Sequence, residues 1–177
     1  MLRRALQLSA LCLTAALGWG LWHAFAPAPS IPTLVEDAQR VDQIVIDKSA
    51  RRLLASRQGE TVLEFDIALG FEPVGDKAEE GDGKTPEGIF RVNRRNANSS
   101  FHLSLGLDYP QAEDLQRAED AGIDPGGDIF IHGQPNAVGG ALTLPGDWTA
   151  GCIAISNSEM ERLWQLVDIG TKVEIRP

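Results

Sequence analysis

Cys152 is the residue whose type and setting most favour covalent chemistry, because it follows the small, polar stretch 149–151. A thiol attacks as its thiolate, and free cysteine has a pKa of roughly 8.5, so a nucleophilic cysteine needs a basic partner. His132 could be that partner, since it ends the apolar run 128–131 and precedes Gly133. We expect this position to hold the ring exposed but rigid. Cysteine and histidine form the minimal nucleophile–base pair for acyl transfer.

The backbone before the cysteine could complete such a site. Gly151 would let the main chain approach a substrate, and the amides of Gly151 and Cys152 could stabilise an oxyanion. The alternative is that Cys152 is simply a buried apolar residue. The other cysteine, Cys12, lies in the apolar N-terminal stretch. A disulfide framework and a CxxC zinc or redox site are therefore excluded.

The N-terminus, residues 1–27, is typical of an export signal. Arg3 and Arg4 precede an apolar run from 5 to 25, the arrangement of a secretory signal. About 20 apolar residues could also span a bilayer, so a cleaved peptide and a retained membrane anchor both remain open. We predict an exported envelope or periplasmic protein, soluble or anchored, with membrane contact only through this segment. A lone free thiol is unusual in an oxidising compartment, which favours a functional Cys152.

Composition indicates one acidic globular domain. The chain has 177 residues and a net charge of −9, and all 25 acidic residues lie after residue 27. An acidic body argues against nucleic acid as a partner, because phosphate affinity comes mainly from Lys and Arg. We expect residues 28–40 to form a linker and 41–177 to form the folded domain.

Hydrophobic periodicity predicts an α+β, β-rich fold. The pattern indicates an opening meander, four later strands and two helices. A capping box of Ser156 and Glu159 marks the start of the second helix. The predicted strands are 43–47, 51–57, 61–69, 89–92, 128–132, 152–155 and 172–175, and the predicted helices are 111–121 and 156–167.

The spacing of these residues resembles the signature of the L,D-transpeptidase (YkuD-like) catalytic domain. That signature is a His-Gly pair, a gap of this size, then Ser/Thr-His-Gly-Cys. Here 16 residues separate His132 from Thr149. Segments 46–49, 81–88 and 100–105 are similar to other parts of the family pattern, and the likeness spans roughly residues 42–176. It implies a mixed β-sheet core with two short helices and the Cys/His site at the sheet end.

The resemblance also implies roles. Cys152 would attack the carbonyl of an L-to-D peptide bond in a peptidoglycan stem peptide and form a thioester. His132 would act as general base and then acid, oriented by the carbonyl of Gly133, and the Gly151 amide would serve the oxyanion. No metal or organic cofactor is implied. The expected substrate contacts are His102, Trp148 and Thr149. His102 could instead be a partly buried strand histidine, and Asp147-Trp148 a packing anchor of the loop.

Two departures from the family pattern leave the reaction open. Ala150 stands where the family has His, and Ala154 where it usually has Arg, which puts substrate binding in question. The stretch 147–157, DWTAGCIAISN, resembles a branch of exported members, one of which detaches a lipoprotein from peptidoglycan. Transfer to an amine is therefore one hypothesis. The second is a hydrolytic amidase or L,D-carboxypeptidase that releases a peptidoglycan-linked lipoprotein or a terminal residue. The third is a non-catalytic envelope-binding domain. We interpret segment 81–88 as a structured turn beside the site.

Overall fold

A computed structural model describes residues 30–140 and 142–177. The signal or anchor predicted for residues 1–27 lies outside the described residues. Residues 32–177 form one compact unit. Its first backbone hydrogen bond to the body comes from Val35, which donates to the carbonyl of Gln165, and Val41 is its first buried apolar side chain. Among the described residues, no helix has the length and apolarity needed to cross a membrane.

In the described part of the chain, eight strands form one mixed sheet beside two α-helices, which confirms the predicted α+β, β-rich class. The sheet order is β3-β2-β1-β8-β4-β5-β6-β7. The β1–β8 and β6–β7 pairs are parallel and the other neighbours are antiparallel. The strands are β1 (Gln43–Asp47), β2 (Arg52–Arg57), β3 (Glu60–Asp66), β4 (Gly88–Ser99), β5 (His102–Leu107), β6 (Phe130–His132), β7 (Ile153–Ala154) and β8 (Lys172–Arg176).

Alternating apolar residues explain the first half of the sheet. Ile44 and Ile46 of β1 are buried, while their neighbours along the strand are only partly covered. The strand predicted over 61–69 ends at Asp66 in the structure. The next residues leave β3, and Ala68 exchanges backbone hydrogen bonds with Ala154 of β7. This crossing ties the meander to the strand that follows Cys152.

Strand β4 is longer than the predicted 89–92. Residues 88–91 pair with β8 and residues 92–99 pair with β5, so one bent strand joins the two halves of the sheet. Its register shifts twice along the β5 pairing. From Leu103 to Leu107 every residue of β5 is buried, because this strand is covered on both faces. The site-bearing strands β6 and β7 are built outward from it.

The two helices follow their predicted caps. Helix α1 (Ala112–Ala121) ends at Gly122 in the left-handed conformation, and only Ala118 of its apolar face is buried. Leu115 is half exposed, so α1 lies at the surface. Helix α2 (Asn157–Leu166) begins with the reciprocal Ser156–Glu159 hydrogen bonds of a capping box. Its buried face of Met160, Leu163 and Trp164 packs into the core directly after β7.

Candidate active site

His132 is fixed at the end of β6 by the strands on either side. It pairs with Ser104 of β5 and with Ala154 of β7. Its Nδ1 lies 2.7 Å from the carbonyl oxygen of Gly133. Because a carbonyl can only accept, Nδ1 carries the proton and donates it, which leaves Nε2 unprotonated in the neutral ring. The geometry therefore provides a base at Nε2.

The expectation that His132 is exposed is wrong, because only 3% of the residue is accessible. Phe101 lies against the ring with a centroid separation of 4.5 Å, and Trp148 meets it edge-on at 5.8 Å. Burial lowers the pKa of His132, although the hydrogen bond to Gly133 acts in the opposite direction. The imidazole is therefore neutral at neutral pH.

Cys152 lies immediately before β7 and lines the same cavity as His132. The parallel pairing of β6 and β7 brings the two together, because it sets Ile153 beside Ile131. The cavity has a volume of about 400 Å³. Its wall combines aromatic rings with small polar groups, which are Asn96, Ser99, Phe101, Ser104, Phe130 and Trp148.

The Cys152 thiol is held in a resting arrangement. Its Sγ lies 3.4 Å from the carbonyl oxygen of Asp128, and the hydrogen bonds of the described residues include none between the thiol and His132. Burial raises the pKa of Cys152, the Asp128 carboxylate raises it further, and the Phe130 backbone N–H and Lys77 oppose the shift. The resting pair is thus a neutral thiol and a neutral imidazole rather than an ion pair.

The loop before the cysteine is tied together by its own polar groups. The Gly151 amide donates to Thr149 Oγ1 at 3.1 Å, and the Thr149 hydroxyl donates to the Cys152 carbonyl at 2.7 Å. The Gly151 amide predicted for the oxyanion and the Thr149 hydroxyl predicted for substrate are therefore already engaged within the loop. The Cys152 amide takes part in none of the loop hydrogen bonds of the described residues. It is therefore a backbone donor of this loop that can serve an oxyanion.

Gly151 is required by a contact inside the protein rather than by access for substrate. Its φ is +135°, and a Cβ built there would lie 2.7 Å from the carbonyl oxygen of Lys84. Gly70 is held as closely, since its Cβ would lie 2.0 Å from the carbonyl oxygen of Gly83. The loop 70–87 therefore lies directly against residues 149–151, in agreement with the structured turn predicted for 81–88.

Two buried lysines and their two carboxylate partners stabilise this loop. Lys48 Nζ donates to the carbonyls of Gly75 and Thr85 and pairs with Glu87 at 2.7 Å. Lys77 Nζ pairs with Asp82 at 2.9 Å. Burial would raise the pKa of Asp82, but backbone N–H donors and Lys77 lower it to about 2. Asp82 is therefore ionised at neutral pH and organises the turn.

Asp147 and Trp148 have different surroundings. The Asp147 carboxylate accepts from the Leu69 amide at 2.8 Å and pairs with Arg51 at 2.8 Å, so it anchors the loop. The Trp148 ring lines the Cys152 cavity and stacks with Phe101 at a centroid distance of 6.1 Å. Its Nε1 is buried and has no acceptor among the described residues.

His102, predicted as a substrate contact, lies elsewhere. Its Nε2 is 2.9 Å from Glu161 Oε1, and it lines a different cavity with Asn136 and Asn157. The residue before it, Phe101, faces the Cys152 cavity instead. Sequence reasoning included Phe101 only within the segment 100–105, and it did not single out Asp128. The signal for Asp128 would have been its position, since it is the polar residue at the start of the predicted strand 128–132, which ends in His132.

Ala154 and Ala150 occupy contrasting positions. Ala154 is buried in β7 and lines a second cavity of about 340 Å³, whereas Ala150 is exposed beside Cys152. Arg51 contributes a guanidinium to the second cavity. Among the described residues, no three His, Cys, Asp or Glu side chains are placed to share a metal ion.

Comparison with known proteins agrees with this geometry. The profile of the YkuD family, described as the L,D-transpeptidase catalytic domain, matches residues 42–175. The chain belongs to this family. A search of curated protein sequences found no match.

Three solved structures resemble this member of the family. The helical cell shape determining protein Pgp2 from Campylobacter jejuni has 26% identity and a TM-score of 0.60, covering 89% of this chain and 54% of its own. Bdellovibrio bacteriovorus Bd1075 has 23% identity and a TM-score of 0.57, covering 85% and 52%. An L,D-transpeptidase from Xylanimonas cellulosilytica has 20% identity and a TM-score of 0.51, covering 92% and 68%. This chain thus spans about half the length of the first two.

Proposed function

We propose that the protein is a cysteine-dependent acyl transferase that acts on peptidoglycan stem peptides as an L,D-transpeptidase. The observation that carries the proposal is the shared cavity of Cys152 and His132, in which the Gly133 carbonyl orients the imidazole. Family membership and the match to an L,D-transpeptidase fold support the substrate class. The similarity to Pgp2, described as a cell shape determining protein, suggests that the modified wall influences cell shape.

The first half-reaction begins from the neutral pair. As Sγ of Cys152 attacks the carbonyl carbon of the L-to-D bond, Nε2 of His132 accepts the thiol proton and the carbonyl oxygen becomes an oxyanion. The Cys152 amide is the donor available to that oxyanion. Collapse of the intermediate breaks the C–N bond, and the imidazolium gives its proton to the departing amine. A thioester on Cys152 remains.

The second half-reaction decides between transfer and hydrolysis. An incoming amine loses a proton to Nε2 of His132, forms the new amide bond and expels the Cys152 thiolate, which takes the proton back. Water in place of the amine gives a carboxylic acid. The protein would then be an L,D-carboxypeptidase, or an amidase that releases a peptidoglycan-linked lipoprotein. We propose that either reaction takes place in the cell envelope.

Product analysis tests the proposal. Purified protein is incubated with peptidoglycan, and separately with lipoprotein-linked peptidoglycan, and the products are read by mass spectrometry beside Cys152→Ala. New L,D cross-links or exchanged D-amino acids establish transfer. Cysteine-dependent release of a terminal residue or of lipoprotein without exchange establishes hydrolysis. Intact peptidoglycan in every sample would contradict the proposal and favour a non-catalytic envelope-binding domain.

A further inference from the structure

One residue that lines the cavity of Cys152, Asp128, forms an ion pair with Arg94. Arg94 Nη2 of β4 is 2.5 Å from Asp128 Oδ1, and the two side chains are 52% and 81% exposed. Asp128 itself lines the cavity, and its carbonyl oxygen is the partner of the Cys152 thiol. Asp128 thus contacts the Cys152 thiol through its backbone carbonyl and Arg94 through its side chain.

Stability of the fold does not account for this pair. Exposed ion pairs contribute roughly 0–1 kcal/mol. Asp128 adopts φ +55°, a left-handed conformation that aspartate enters more readily than most residues other than glycine. The pair thus contributes little to the stability of the fold.

The surroundings fix the orientation of the guanidinium. Arg94 Cζ lies 4.5 Å from the centre of the Phe130 ring, which lines the same cavity. Gly106 of β5 leaves the space that the arginine stem needs, because a Cβ there would lie 2.6 Å from Arg94 Cγ. One face of Arg94 is therefore held against a residue of the cavity wall, while its Nη2 lies next to Asp128.

Charge balance restricts what this pair can bind. A carboxylate that captured Arg94 would leave the Asp128 carboxylate unpaired, and an ammonium that captured Asp128 would leave the guanidinium unpaired. A group that carries both charges on one carbon satisfies both partners, and charge-assisted hydrogen bonds are the strong ones. Such a group is a free α-amino acid head, with –NH₃⁺ and –COO⁻ attached to the same carbon.

We propose that Asp128 and Arg94 form a subsite for a zwitterionic α-amino acid head group, with Asp128 receiving the ammonium and Arg94 the carboxylate. This inference rests on the proposed function and adds a recognition element to it. The head group is supplied by the side-chain end of an uncrosslinked diaminopimelate residue in the donor stem. A free D-amino acid used as acceptor is not a source, because its amine must be unprotonated to attack the thioester and so cannot be held on Asp128 as the ammonium.

The test compares head groups in the donor. Donor tetrapeptides carry at the third position diaminopimelate, its side-chain carboxamide, which lacks the carboxylate charge, or 2-aminopimelate, which lacks the side-chain ammonium. Acyl-enzyme formation is measured for each donor without acceptor. Binding of the same donors to the Cys152→Ala protein is measured by calorimetry, which does not depend on turnover.

We expect the wild-type protein to prefer the zwitterionic head by about tenfold, both in kcat/KM for acyl-enzyme formation and in affinity. Asp128→Asn should abolish the preference for donors that carry the side-chain ammonium and keep the preference for donors that carry the side-chain carboxylate. Arg94→Gln should keep the first preference and abolish the second. Asp66→Asn and Arg52→Gln, which alter a similarly exposed pair on β3 and β2, should leave both preferences unchanged.

The outcomes separate this inference from the proposed function. Cysteine-dependent turnover with equal rates for all head groups overturns the subsite and leaves the proposed function standing. The same follows if Asp128→Asn and Arg94→Gln lower all substrates equally. Selective binding of the zwitterionic donor without turnover supports the subsite and contradicts the proposed function. If neither binding nor turnover is observed, both the subsite and the proposed function are overturned.

Discussion

Alkylation of Cys152 by a small electrophile should depend strongly on pH. Burial raises the pKa of the Cys152 thiol above 9.0 and lowers the pKa of His132 below 6.5. At pH 7 at most about 1% of the thiol is then thiolate, and the iodoacetamide rate should rise about tenfold per pH unit up to pH 9. A thiolate–imidazolium pair would instead react at a rate that is nearly independent of pH.

Turnover should follow a different profile from alkylation. The proposed reaction starts from the neutral thiol and neutral imidazole, which predominate from pH 6.5 to pH 9. Across this range kcat/KM should stay level while the alkylation rate rises more than a hundredfold. Turnover should fall below pH 6.5 as His132 takes up a proton.

Two variants complete this test. Asp128→Asn removes a carboxylate that raises the thiol pKa, so its alkylation curve should move to lower pH. His132→Ala should lower turnover by about 10²–10⁴-fold but keep an alkaline alkylation curve, because no ion pair is lost. A level alkylation rate between pH 5 and pH 8 in the wild-type protein would refute the neutral-pair assignment.

Three further predictions concern the loops around the nucleophile. Since the pKa of folded Asp82 is lowered from 3.8 to about 2, its ionised form stabilises the fold above pH 3.8, by about 2 kcal/mol. Urea unfolding of Asp82→Asn should show this loss at pH 7, and the difference from wild type should disappear as the pH falls to 2. Trp148→Phe removes a buried, unpartnered N–H, so thermal unfolding should show equal or higher stability; lower stability would mean that the N–H has an acceptor. Gly151→Ala should cost about 2 kcal/mol or more in urea unfolding, because the new methyl meets the Lys84 carbonyl, and an unchanged midpoint would contradict this packing.

Strong local patterns made much of the fold predictable. Strand β1 shows the alternation that its two buried isoleucines require, and α2 carries both a capping box and an apolar stripe. The polar half of β4 was missed because residues 93–99 contain no alternating apolar set. These residues become a strand through pairing with β5, and such a distant partner is not visible in a local pattern.

The site shows the same division between local and long-range information. The spacing of His132 and Cys152 predicted that they meet, and the structure places both on one cavity. The burial of His132 depends on Phe101 and Trp148, which are distant in the chain. The engagement of the Gly151 amide depends on which rotamer Thr149 adopts. Side-chain hydrogen bonds of this kind require three-dimensional coordinates.

The most direct test of the central claim is to trap the acyl-enzyme. Protein mixed with a stem tetrapeptide is quenched in acid within its first turnovers, and its intact mass is measured beside Cys152→Ala. We predict a mass increase equal to the acyl part of the peptide, located on Cys152 by peptide mapping and absent from the variant. Product formation by Cys152→Ala at the wild-type rate would contradict the cysteine mechanism.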